Sequence, residues 1–152
     1  MKQVIKFHAK TISVNSMYYG NRLHGKTAEA KEWSSQILFT ISKYSEEFKA
    51  LREFFNPKKH VYSFKMKMFV PRNVMYTKDG KMTSLIHDLS NVEKPLIDLI
   101  FLPKFYSEAP LFAEKAPNLN IDDRYLQYLS SEKVPTEDFW GIEVELEIKD
   151  KP

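Results

Sequence analysis

From Tyr62 to Val70 every second residue is apolar, with Tyr62, Phe64, Met66, Met68 and Val70 on one side of an extended chain and Lys65 and Lys67 on the other. Side chains alternate across a strand, so this order predicts a strand with a packed face and a wet, basic face. Two further segments carry the same pattern. Ile5, Phe7 and Ala9 alternate with Lys6, His8 and Lys10, and Ile142, Val144, Leu146 and Ile148 alternate with Glu143, Glu145 and Glu147. Between the first two strands, Ala30, Trp33, Ile37, Ile41, Tyr44, Phe48, Leu51 and Phe55 recur at spacings of three and four. That period predicts one long amphipathic helix, capped at Thr27 and stopped by Asn56-Pro57.

The rest of the chain fills in around these elements. Lys78-Asp79-Gly80-Lys81 reads as a tight hairpin-type turn, since Asp-Gly suits positive φ. A short helix is expected over about residues 91–101. Pro103, Pro110 and Pro117 then punctuate a stretch without period, read as an inserted loop over about 102–120. Strands are expected near 124–133 and 140–148. The order β, long α, β, short α, β, β predicts a single mixed α/β (α+β) domain over 1–152, a small mixed sheet flanked by a long and a short helix.

Composition narrows the function classes. The 152 residues contain no cysteine, which excludes disulfide frameworks, thiolate metal sites and thiol nucleophiles. At 43% hydrophobic and 14% aromatic the chain can build a core. No run approaches the ~18 apolar residues of a membrane span, and the Lys2, Lys6, Lys10 start lacks the apolar stretch of a secretory signal, so a soluble, cytoplasmic protein is expected. The net charge of +3 hides a division: residues 1–80 carry 15 Lys and Arg against 6 Asp and Glu, whereas 81–152 carry 8 against 14. A basic half beside an acidic half suits a polyanion held next to a carboxylate cluster with a cation, although solvated faces of ordinary proteins are also uneven.

The stretch that carries chemistry is His87-Asp88-Leu89-Ser90-Asn91-Val92-Glu93-Lys94-Pro95-Leu96-Ile97-Asp98, followed by Ile121-Asp122-Asp123. On a helix at about 100° per residue, Asn91 and Asp98 fall within about 20° of one another and Lys94 about 60° from Asn91, so the three share a face. Asp88, just before the helix, and Asp122-Asp123, at a strand start, are candidates to meet that face. Two carboxylates ~4 Å apart repel by about 4 kcal/mol at an effective dielectric near 20, so such a cluster needs a cation or a shared proton. With oxygen ligands alone, Mg²⁺ fits best and Mn²⁺ is the natural substitute. Mg²⁺ leaves positions for water and a substrate phosphate, which suits phosphodiester hydrolysis, and Lys94 would stabilise charge on the phosphate or its leaving oxygen.

Each residue also has a plain structural reading. Ser90 with Glu93 three residues on is a capping-box pattern, and Asp122-Asp123 reads equally as a turn. His8, His24, His60 and His87 show no metal-ligand spacing. Tyr18, Tyr19, Arg22 and Lys26 suit base stacking and phosphate contact, as they also suit an ordinary loop.

Taken together and in order, these residues resemble the RusA-like endodeoxyribonucleases, Holliday junction resolvases of bacteria and often of phages or prophages. The resemblance lies in Ser13-Val14-Asn15-Ser16-Met17-Tyr18, in Lys26-Thr27 ahead of a helix with Trp33, in Asp88-Leu89-Ser90-Asn91-Val92-Glu93-Lys94 with Asp98, and in Asp122-Asp123 with Lys133. It implies a homodimeric, Mg²⁺-dependent nuclease that nicks four-way DNA junctions symmetrically, in recombination, repair or phage DNA processing. By position, Asp88, Lys94 and Asp123 correspond to catalytic residues, and Asp88, Asp98, Asp122 and Asp123 to the metal-binding carboxylates. Ser90 and Asn91 correspond to support of the site. The expected DNA contacts are Asn15, Tyr18, Arg22 and Lys26 with the basic residues Lys65, Lys67 and Arg72. A two-fold junction needs two symmetric cuts, which a two-fold dimer supplies.

Three features depart from the family pattern. Ser90 stands where the pattern has a second Asp, removing one charge from the metal cluster. Pro95 suits a helix that begins late or is kinked. The interval from Asp98 to Asp122, 24 residues, is longer than usual. The alternative reading is a non-catalytic DNA-binding protein on the same scaffold, its metal site weakened by Ser90; a third is a structural or protein-interaction role without DNA.

Overall fold

The computed structural model describes residues 1–10, 28–83, 89–102 and 117–152. Within them the chain runs β1 (Lys2–Phe7), α1 (Ala28–Lys43), α2 (Ser45–Phe54), β2 (His60–Pro71), a single turn α3 (Arg72–Met75), α4 (Leu89–Phe101), a 3₁₀ turn (Asp123–Tyr125), β3 (Leu126–Thr136) and β4 (Gly141–Asp150). The fold is mixed α+β. The described strands form one sheet in the order β1-β4-β2-β3, with β4 antiparallel to both neighbours and β2 parallel to β3.

The alternating residues do what their period requires. Ile5 and Phe7, the series from Tyr62 to Val70, and the series from Ile142 to Ile148 form one buried sheet face. Ala30, Trp33, Ile37, Ile41, Phe48 and Leu51 of α1 and α2 join the same core, as do Val92, Leu96, Leu99, Ile100 and Phe101 of α4. The expected single long helix is in fact two, broken at Tyr44. The Tyr44 N–H bonds the Ile41 carbonyl three residues back at 3.0 Å, a 3₁₀ step. Its hydroxyl accepts the Lys6 N–H of β1 at 3.3 Å. The stop at Asn56-Pro57 is as expected: the Asn56 carbonyl takes the N–H groups of Lys59 and His60, and its side chain takes that of Lys58. Gly80 sits at φ 85° in the Asp-Gly turn, with Tyr76 and Met82 bridged across it.

The other sheet face corrects the picture of a bare basic surface. Strand β4 lies between β1 and β2, so the acidic C-terminal strand is inserted between two basic ones. Lys6, Glu143, Lys67 and Glu132 form one row across the four strands, and Val4, Glu145, Lys65 and Ser130 form the next. Across the strands Lys2 of β1 reaches Glu145 of β4 at 3.5 Å, while within β4 Lys149 reaches Glu147 at 3.9 Å. Opposite charges facing across strands contribute about 0.2–1 kcal/mol each, so the charge asymmetry along the chain becomes sheet pairing.

Helix α4 also departs from expectation. It begins at Leu89, so Ser90 lies in its first turn instead of capping it, and it runs through Pro95, which is buried and offers no N–H to the Asn91 carbonyl. A helix end leaves four carbonyls without intrahelical partners. Here the Asn118 side-chain amide donates to Leu99 and Leu102 at 2.9 and 3.0 Å, the Leu119 N–H to Ile100, and the Ile121 N–H to Phe101. The Asn118 Oδ1 accepts the Asn120 N–H at 3.0 Å, and its carbonyl accepts from Arg52 at 2.6 Å. The end of the expected 102–120 loop is therefore a built helix cap; residues 103–116 lie outside the described residues. Among the described residues no helix is long and apolar enough to cross a membrane.

Asn118 is fully buried and serves several partners, so Asn118→Ala strands polar groups away from water. Its urea unfolding free energy should fall by about 3 kcal/mol. A loss below about 1 kcal/mol would show that these bonds do not hold the segment.

Candidate active site

Helix α4 turns its apolar side to the core and presents a stripe at positions 90, 93, 94, 97 and 98, the i, i+3, i+4, i+7, i+8 spacing of one helical face. The stripe borders a surface cavity of about 220 Å³. Ser90, Glu93, Lys94 and Asp98 line it from the helix, and Asp123 enters from the 3₁₀ turn. Ile97, Leu126 and Leu129 form its apolar wall. Lys94 is exposed, and Asp98 and Asp123 are half-buried.

The cap of α4 sets this juxtaposition. Residues 118–121 are hydrogen-bonded to the last carbonyls of the helix, one turn beyond Asp98, and Asp123 follows two residues after Ile121. The 3₁₀ turn is fixed in its own right. The Asp122 side chain accepts the Arg124 N–H at 2.8 Å, as an N-cap does, and the Leu126 N–H bonds the Asp123 carbonyl. Behind it, the Tyr125 ring meets Phe55 edge-on at 5.5 Å, Phe55 stacks on Tyr62 at 4.5 Å, and Tyr62 meets Phe101 edge-on. Burial pushes the pKa of the Tyr62 hydroxyl far above the ordinary phenol value, with Arg52 opposing it, so the ring is an uncharged part of this buttress.

The expected site residues divide. Lys94, Asp98, Asp123 and Ser90 meet at the cavity. Asn91 does not line it; on an ideal helix it falls about 20° beyond Asp98, at the edge of the stripe. Asp122 turns to Arg124, whose Nε lies 3.6 Å from its Oδ1, and does not line the cavity either. Asp88, Asn15, Tyr18, Arg22 and Lys26 lie outside the described residues. Among the described residues no group of three or more His, Asp or Glu side chains gathers closely enough to hold a metal. Asp98 and Asp123 nonetheless supply hard oxygen donors in the number Mg²⁺ usually draws from a protein.

Of the expected basic contacts, Lys65 and Lys67 stand on the sheet face opposite the helices. Leu129, at the cavity, pairs in register with Phe64 on the helix-covered face. Arg72 begins the turn after β2, eight residues beyond Phe64, about 26 Å along the strand, and lies 5.9 Å from the Tyr76 ring. These three do not converge on the cavity. One residue that lines the cavity and one on the adjoining turn escape the motif reading. Glu93 was legible in the i, i+3, i+4 stripe but is absorbed there by the capping-box pattern. Arg124 follows the Asp-Asp pair directly, and its cationic role depends on how Asp122 is turned.

Lys94 and Asp123 lie at the surface with little packing to lose. Lys94→Gln and Asp123→Asn should therefore leave the urea unfolding free energy within about 0.5 kcal/mol of wild type; a larger drop would make them structural residues. In comparisons with known proteins, the chain matches no family model and no curated protein.

Proposed function

We propose that this protein is a Mg²⁺-dependent, structure-selective endodeoxyribonuclease that resolves four-way DNA junctions by paired symmetric nicks, working as a homodimer in DNA recombination, repair or phage DNA processing in the bacterial cytoplasm. The observation that carries this reading is that Lys94 and Asp98 of α4 and Asp123 of the 3₁₀ turn, 25 residues after Asp98, line one surface cavity. Its volume of about 220 Å³ is below the roughly 300–1,000 Å³ of enclosed small-molecule sites and suits a single phosphodiester group presented by a larger polymer.

Asp98 and Asp123 would hold the cation, with Asp88 joining them by the family pattern. Bound there, Mg²⁺ supplies Lewis acidity toward the phosphate oxygens and a bound water of lowered pKa, with Mn²⁺ able to substitute. The chain contributes the rest. Lys94 is the cation that meets charge on the leaving oxygen, as the ester P–O bond breaks and a water oxygen forms the new one. Ile97, Leu126 and Leu129 give the cavity one apolar side.

A second reading is favoured by one observation: Ser90 lines the cavity where the family pattern has an acid, which lowers the site's negative charge. In that case the protein binds junctions without cutting them. A side-by-side assay on four-way junction, fork and linear duplex with Mg²⁺, Mn²⁺ and chelator separates the two. The nuclease gives paired nicks on the junction with either metal and none with chelator. Asp123→Asn keeps DNA binding and loses cleavage by about two orders of magnitude or more. Wild-type cleavage by Asp123→Asn removes the proposed chemistry; activity appearing only in Ser90→Asp favours the binding protein.

A further inference from the structure

The geometry points to Arg124 as a contact to a phosphate of the strand being cut and to Asp122 as the positioning residue that aims it; this assignment rests on the nuclease reading. Both side chains are exposed, Arg124 by 75% and Asp122 by 52%, and an exposed ion pair alone does little for stability. The pair is held by more than charge. Asp122 Oδ1 accepts the Arg124 backbone N–H at 2.8 Å and also faces the Arg124 Nε at 3.6 Å, so one carboxylate oxygen fixes the turn and orients the side chain. The guanidinium carbon lies 5.9 Å from the Tyr125 ring, which is itself seated edge-on against Phe55.

An arginine guanidinium is a planar fork with five N–H donors. The Nε edge faces Asp122. Among the described residues nothing else accepts from the fork, so the two terminal nitrogens stand as the pair that grips a phosphate in two parallel bonds. Asp123, the adjacent residue, lines the cavity. A strand with one phosphate in the cavity therefore passes within a side chain's length of Arg124. Any polyanion approaching Asp98, Asp123 and Glu93 meets repulsion, and Lys94 and Arg124 supply the compensating charge on the helix side and the turn side. Asp122 serves as a brace for the turn and for Arg124 and not as a metal ligand.

The test uses the full chain. In an Asp123→Asn background, four-way junction binding is measured by fluorescence anisotropy across a salt series, and Mn²⁺ binding is measured by calorimetry in the otherwise wild-type chain without DNA. Arg124→Ala should reduce the log–log salt slope by about 0.9, the loss of one phosphate contact. Arg124→Lys should keep the slope and lose affinity several-fold, because a lysine cannot make the paired bonds. Asp122→Ala should weaken junction binding toward the Arg124→Ala level while holding Mn²⁺ affinity within about two-fold of wild type; Asp122→Ser, which retains a capping oxygen, guards against simple loss of the turn. An unchanged slope in Arg124→Ala, or a ten-fold loss of Mn²⁺ affinity in both Asp122 variants, overturns the assignment. If the wild-type chain binds no junction DNA, the nuclease reading falls and takes this assignment with it. Junction binding with an unaltered Arg124→Ala slope removes this assignment alone.

Discussion

The satisfaction of four carbonyls at the end of α4 governs the arrangement of the candidate site. A helix that ends against protein must find donors for those groups, and here Asn118, Leu119 and Ile121 provide them. Because the donors belong to the segment that leads into Asp123, the same bonds that close the helix also bring Asp123 to the cavity that Asp98 lines. The buried amide of Asn118 meets two of the four, the backbone N–H groups of Leu119 and Ile121 meet the other two, and Arg52 ties the Asn118 carbonyl back to α2. Two acids distant in the chain thus come to line one cavity through the closing of a helix end.

The sheet applies a different constraint. Lysines on β1 and β2 and glutamates on β4 are separated along the chain but adjacent in space, because the last strand enters between the first two. A chain that is strongly basic in one half and acidic in the other thereby sets lysines and glutamates side by side on this face. Among the described residues Lys94 is the cation that lines the cavity, and Arg124 stands on the adjoining turn, next in sequence to Asp123.

Much of this was legible in the residues. Period-two alternation at Ile5–Ala9, Tyr62–Val70 and Ile142–Ile148 identified both faces of the sheet, and the three-four spacing from Ala30 to Leu51 identified the helical core positions. The break at Tyr44 was not legible, since the apolar spacing continues through it and the hydroxyl that meets the edge of β1 there is a long-range contact. Pro95 did not mark a late start, because α4 takes in the turn before it and carries the buried proline in its interior. The face shared by Lys94 and Asp98 followed from helical geometry. The part played by Asp122 did not: an Asp-Asp pair reads as two equivalent ligands, and only the turn's hydrogen bonds distinguish them.

The position of β4 has a consequence for how the molecule comes into being. Both of its neighbours precede it in the chain, and β1 and β2 share no ladder of their own, so a nascent polypeptide emerging from the ribosome cannot close its sheet until residues 141–150 are made. Until then two strand edges remain open, and the pairing that completes them spans most of the chain. Long-range closure of this kind is slow compared with local pairing, so the making of residues 141–150 is the point in synthesis at which these two edges can first be covered.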